Sequence, residues 1–171
     1  MSDMIDKIET PIYVDSDGVV ADMSEYCRKH FGKRPEDYVK KSEFWTLVQR
    51  HNDNVEPFFR HLPKMEDADV LLDFLQTHFK TVKILTASGY TPKEGPQQKR
   101  DWYQEHYPHI ECIVVPKSPD KAAYAFADGV QAVLIDDRAK SIDPWTAAGG
   151  QGVLHTSAAD TISQLKTLFN I

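Results

Sequence analysis

Short apolar runs alternate with longer amphipathic stretches along most of this chain. "PIYVD" (11–15) is the first apolar run and reads as a strand. Residues 22–63 then carry no second strand signal. They are charged and aromatic, are broken by Gly32, Pro35 and Pro57, and read as about three helices. In "MEDADVLLDFLQTHF" (65–79), Val70, Leu71, Phe74, Leu75 and Phe79 fall near helical spacing. "VKILTAS" (82–88) predicts a buried strand, and "GPQQKRDWYQEHY" (95–107) a helix with Pro96 in its first turn. "CIVV" (112–115) predicts a strand, "SPDKAAYAFAD" (118–128) a short helix, and "AVLIDD" (132–137) a strand ending in two aspartates. "PWTAA" (144–148) reads as helical and stops at Gly149-Gly150. "GVLH" (152–155) is a last strand. "SAADTISQLKTLF" (157–169) is a last helix, with Ser157 as N-cap and Ile162, Leu165 and Phe169 facing inward.

Strands alternating with helices imply right-handed crossovers, a mostly parallel sheet and an α/β fold. Ligands of such sheets bind beyond the carboxyl ends of the strands. Asp15 ends the first strand, Thr86 and Ser88 the second, and Asp136 and Asp137 a later one. All are expected at one sheet edge. The 22–63 stretch is too long and too structured for a plain loop. It reads as a helical cap inserted after the first strand, giving a core of 1–22 and 65–171 and a cap of 23–64.

Bulk properties narrow the function. The 171 residues suit one domain, with no apolar run long enough to span a membrane. The net charge of -6 argues against an extended nucleic-acid surface, but not against a pocket for one phosphate. "MSDMIDKIETP" is acidic and does not read as a secretory leader, and Cys27 and Cys112 form no CxxC pair. A cytoplasmic location with reduced thiols is expected, and a homodimer is compatible with the sequence.

Four carboxylates at one sheet edge require a cation. Oxygen-only ligands without neighbouring His or Cys suit Mg²⁺, which binds through few carboxylates plus a phosphate. Beside such an ion and a bound phosphate, an aspartate can act as a nucleophile, and a second aspartate two residues on can protonate the leaving oxygen and later deprotonate water. Gly18 permits the sharp turn that follows them. The Thr86 hydroxyl and neighbouring backbone N–H groups, that of Ala87 among them, can hold phosphate oxygens, and a lysine would balance the charge. The EF-hand alternative fails, because with Asp15 and Asp17 at loop positions 3 and 5 the ends of the loop are Tyr13 and Ser24.

"DSDGVVAD", "ILTAS", a downstream lysine and "VLIDDR" resemble, in order, the four motifs of the haloacid dehalogenase (HAD) superfamily of phosphotransferases. The inserted cap, "DGVVAD", "FFRHLP" and "KRDW" resemble its 5'(3')-deoxyribonucleotidase branch. The resemblance implies a Rossmann-like core and Asp15 as nucleophile and metal ligand. It implies Asp17 as acid/base, with its backbone carbonyl on the metal. It further implies Thr86 as phosphate-binding hydroxyl, Lys99 as the family lysine, and Asp136 and Asp137 as metal ligands, one of them directly. Lys93, Arg100, Lys117 and Lys121 compete with Lys99. The branch often has another lysine just after its second motif, and "TASGYTP" has none.

Each feature has a plainer reading. A lone DxDG is often a turn, a strand-end threonine often caps one, and Asp137-Arg138 could be a surface ion pair. The aromatics Tyr26, Phe31, Phe44, Trp45, Phe58 and Phe59 read mainly as cap core. Trp45 and Phe58 are singled out as stacking platforms for a nucleobase, in line with the branch resemblance. The seven histidines show no paired ligand spacing and read as surface or satisfied core residues. "AAGGQG" follows a helix and lacks a GK[ST] ending, so it does not read as a phosphate loop. The expectation is therefore a Mg²⁺-dependent phosphomonoesterase acting on a nucleoside monophosphate through an aspartyl-phosphate. The alternatives are another small phosphate ester, a nucleic-acid 3'-phosphate end, or a non-catalytic binding module.

Overall fold

The computed structural model describes residues 6–171. Residues 1–5, where the expected core begins and half of the acidic N-terminal stretch lies, are outside the described residues. Five strands form one parallel sheet, in the order β3-β2-β1-β6-β7. They are β1 (Ile12–Val14), β2 (Val82–Ala87), β3 (Cys112–Val115), β6 (Val133–Asp136) and β7 (Gln151–Leu154). Strand β1 lies between β2 and β6, so the chain moves to one side of it first and to the other side later. That reversal opens a crevice at the carboxyl ends of β1, β2 and β6.

The central strands are apolar throughout because both sheet faces are covered. Alternate residues enter different cores. Ile12, Val14, Ile84, Val133, Ile135 and Val153 pack on one face, and Leu85, Leu134 and Trp145 on the other. The first face is covered by α3 (Ala68–His78) and α6 (Ala158–Phe169), with Phe79 and Phe169 edge to face at 5.0 Å. The second is covered in part by α5 (Ala139–Ala147). Helix α4 (Gly95–His106) follows β2 and carries Lys99.

The segment after β1 is helical, as its sequence predicts. It holds α1 (Met23–Phe31), a 3₁₀ turn (Pro35–Asp37), α2 (Lys41–Asn54) and a second 3₁₀ turn (Phe59–His61). Asp22 caps α1 by accepting from the Glu25 N–H at 3.0 Å, and left-handed Gly32 ends it. Cap residues Tyr26, Phe44, Val48, Phe58 and Phe59 share one continuous apolar core with Ile12 and Leu71. Trp102 of α4 adds a hydrogen bond of 2.7 Å to the Leu62 carbonyl.

Several expectations change. The helix expected over 118–128 is a 3₁₀ turn (Ser118–Tyr124) followed by a small hairpin of β4 (Phe126–Ala127) and β5 (Val130–Gln131). Asp128 and Gly129 both have positive φ, so the Asp-Gly pair makes the hairpin turn that such pairs favour. Helix α5 starts at Ala139, five residues before the expected start at Pro144, which lies inside it. In α3, Val70 is exposed and Leu72 is buried in the core. Gly150 of "AAGGQG" serves packing, since a Cβ there would lie 2.1 Å from the Trp145 indole nitrogen.

Candidate active site

Strand β1 places the first carboxylate. The Asp15 N–H extends the ladder by donating to the Ile135 carbonyl at 2.8 Å, and the residue is buried. The chain then turns tightly, and the Ser16 carbonyl accepts from Val19, Val20 and Ala21. Gly18 has φ +87°, and a Cβ on it would lie 2.1 Å from Asp137 Oδ2. Glycine is therefore required twice, for its left-handed backbone and for the approach of Asp137. The buried Tyr103 phenol holds the same turn by donating to Ser16 Oγ at 2.7 Å.

Two buried lysines divide the carboxylates between them. Lys121 Nζ donates to Asp15 Oδ1 at 2.9 Å and to Asp136 Oδ2 at 2.8 Å. Burial opposes its charge, but the two aspartates outweigh burial and hold the ammonium above its ordinary range. Lys99 Nζ donates to Asp17 Oδ2 at 2.7 Å and to Thr86 Oγ1 at 2.9 Å, and lies 4.5 Å from the Phe59 ring centre. Both lysines are thus in the site, in different places. Lys99 faces Asp17 and Thr86, whereas Lys121 bridges Asp15 and Asp136. Lys93, Arg100 and Lys117 are exposed.

Asp15, Asp136 and Asp137 each offer a carboxylate oxygen, all within 4.8 Å of one another. Burial, followed by the charge of Asp15, holds Asp136 and Asp137 above the usual carboxylate range. Asp137 is exposed as a residue, yet its carboxylate turns inward against Gly18, and this accounts for its share of desolvation. An all-oxygen trio of mutually repelling carboxylates fits a hard divalent cation such as Mg²⁺. The Asp17 side chain is not in this trio. Its Oδ2 faces Lys99, and its Oδ1 is buried without a hydrogen-bond partner.

Thr86 is fully buried near the end of β2, and half-buried Ala87 is the last residue of that strand. The cap aromatics are placed differently from their expected role. Phe58 is fully buried between Tyr26, Phe31, His51 and Phe59, with no face open to a ligand. Trp45 packs half-buried on Phe44 at 4.8 Å. Phe59 is the cap ring that reaches the site. Residues Asn52 and Gln98, which the sequence reading passed over, fix it there. Gln98 Oε1 accepts from the Phe59 N–H at 3.0 Å, while Asn52 Oδ1 accepts from Gln98 Nε2 at 2.8 Å and from the Phe58 N–H at 3.1 Å. Two of these contacts join Gln98 to residues 39 and 46 positions away, and no local pattern signals them. Phe59 and Leu62 line a narrow crevice together with Asp17 and Lys99.

By sequence, the chain matches no family model and no curated protein. By structure it is similar to a HAD-superfamily hydrolase from Ehrlichia chaffeensis, with a TM-score of 0.53 at 14% identity, over 97% of this chain and 100% of the other. The chain has the HAD fold. A hydrolase from Pseudomonas syringae is similar over 94% of this chain and 99% of its own, with a TM-score of 0.58 and 14% identity. A dehalogenase described with an intermediate complex is similar over 96% and 98%, with a TM-score of 0.56 and 12% identity. In this HAD fold, no helix among the described residues is long and apolar enough to cross a membrane.

Proposed function

We propose that this protein is a divalent-metal-dependent phosphomonoesterase whose nucleophile is Asp15, with nucleoside monophosphates as the favoured substrates. The observation that carries this reading is the pair of buried lysines at the crevice. Lys121 beside Asp15 and Lys99 beside Asp17 and Thr86 offer two fixed positive charges to a phosphoryl dianion. Structural similarity to hydrolases and to a dehalogenase supports the wider class of nucleophilic displacement. Asp17 favours phosphate over halide, because a halide leaves as a stable anion, whereas an alkoxide needs a proton. The carboxylate trio favours it too, because its repulsion calls for a cation.

An Asp15 carboxylate oxygen attacks phosphorus as the P–O ester bond breaks, giving an aspartyl-phosphate. Protonated Asp17 delivers its proton to the departing alkoxide. Its Oδ1, buried and unpartnered, is the oxygen free to do so. Asp17 then takes a proton from water as that water attacks phosphorus, which breaks the P–OAsp bond and releases inorganic phosphate. Lys99 turns from Asp17 to the phosphate oxygens on binding, and Thr86 Oγ1 donates to the same group. Asp15, Asp136, Asp137 and the Asp17 carbonyl would hold Mg²⁺, which neutralises charge on the transferring group when bound. The crevice beside Asp17 and Lys99 is narrow, so a nucleotide bound there would require Phe59 and the helical segment that carries it to move.

The test is phosphate release from 5' and 3' deoxy- and ribonucleoside monophosphates, sugar phosphates and a 3'-phosphorylated oligonucleotide, with Mg²⁺ and with EDTA. Metal-dependent release concentrated on nucleotides is expected, and Asp15→Asn should reduce it to background while keeping the fold. Turnover that survives in Asp15→Asn would sink the covalent route. Release confined to sugar phosphates or to the oligonucleotide would move the substrate to the corresponding alternative.

A further inference from the structure

The cap holds a second cluster of ligating side chains that the chemistry above does not use. Tyr26 and His30 lie one turn apart on α1, His51 lies in the last turn of α2, and Glu56 follows that helix. One donor atom from each of His30, His51 and Glu56 lies within 4.8 Å of the others. The His51 side chain is only 6% exposed. Its Nε2 lies 2.7 Å from the Tyr26 hydroxyl, which donates to Glu56 Oε1 at 2.7 Å. His61 is beside them, with Nε2 3.8 Å from Glu56 Oε2.

We propose that His30, His51 and Glu56 form a site for a borderline divalent transition metal of the zinc class, in the cap and separate from the aspartate trio. Two imidazoles and one carboxylate are the donor set that zinc accepts, whereas Mg²⁺ takes oxygen ligands. Zinc ligands at about 2 Å from the ion stand roughly 3.3 Å apart, so the cluster must contract by up to about 1.5 Å. Exposed His30 has the freedom to close that gap. Tyr26 then becomes an outer partner that orients Glu56, and His61 or water fills the remaining position.

The ion would tie α1 to the end of α2 and to the loop leading to Phe59. That loop carries the ring that closes over Lys99, so occupancy would stiffen the cap at the catalytic crevice.

Cobalt(II) titration of the metal-free protein tests the proposal through visible absorption, because four-coordinate cobalt absorbs far more strongly than the six-coordinate ion. An intense band is expected in the wild type and in Asp136→Asn, which impairs the aspartate trio. It should be lost in His30→Gln and Glu56→Gln, and Tyr26→Phe should weaken binding about 10- to 100-fold. Since His30 is exposed, His30→Gln should keep its circular dichroism spectrum, and it should also lose any rise in melting temperature that Zn²⁺ gives the wild type. No intense band, a band that persists in His30→Gln, or one that disappears in Asp136→Asn would overturn the cap site.

Discussion

At the scale of single residues, Lys121 and Gly18 show how far close packing constrains this site. Lys121 is the countercharge of both Asp15 and Asp136, with almost no access to water. Removing one partner of a buried ion pair costs about 3–5 kcal/mol, because it strands the charge left behind. Lys121→Met should therefore lower the unfolding free energy of the metal-free protein by that order in a urea melt. A divalent cation should recover part of the loss, since it supplies countercharge to the same carboxylates. Lys99→Met should act differently. It lies against Asp17 and Thr86, away from the trio, so its loss should raise KM for a phosphate ester more than it weakens metal binding. Equal changes in metal affinity in the two variants would contradict this division. Gly18→Ala should destabilise by more than about 1 kcal/mol in a denaturant melt, since it meets a left-handed backbone and a carboxylate together.

At the scale of elements, the join between cap and core is polar as well as apolar. Gln98 on α4 links the Phe59 N–H to Asn52 on α2, and Trp102 one turn later links to Leu62. Gln98→Leu leaves the Phe59 N–H without this acceptor in a buried setting. A loss of about 1–3 kcal/mol is expected from chemical denaturation. Phe59 should also lose its fixed place over Lys99, so crevice opening, followed by Trp102 fluorescence, should become easier. An unchanged melt in Gln98→Leu would show that the apolar contacts alone hold the cap. The element pattern was largely legible in the chain, because buried parallel strands are continuous apolar runs. The Phe126–Gln131 hairpin was hidden because its two-residue strands are too short to show a period, although Asp128-Gly129 marked the turn.

For the whole molecule, the carboxylates at the sheet edge couple folding to pH and to metal. Asp136 and Asp137 titrate higher in the fold than in an unfolded chain, up to about 6 and about 8 respectively. For raised carboxyl groups the folded state binds protons more tightly. Their contribution is therefore fully present below the unfolded value near 4 and is lost as pH rises through the folded values. The metal-free protein should accordingly lose melting temperature between about pH 4 and about pH 8, and Mg²⁺ should restore more at the upper end, where it competes with fewer protons. A magnesium-induced shift that is flat with pH, or larger at low pH, would argue that the cation binds elsewhere.

The sequence by itself determined the strand and helix alternation, the helical segment that follows β1, and the carboxylates at the ends of β1 and β6. Those features are local, written in apolar periodicity and in short motifs that follow a strand. It narrowed the lysines to a group of competitors but could not order them, because Lys99 and Lys121 reach the aspartates from separate elements. Only the tertiary structure placed Lys121 between Asp15 and Asp136 and Lys99 against Asp17 and Thr86. It also buried Phe58, brought Phe59 over the crevice, and brought together His30 of α1, His51 of α2 and Glu56 of the loop after α2, which share no motif. Each of those outcomes depends on which helix face meets which neighbour, and long-range packing decides that.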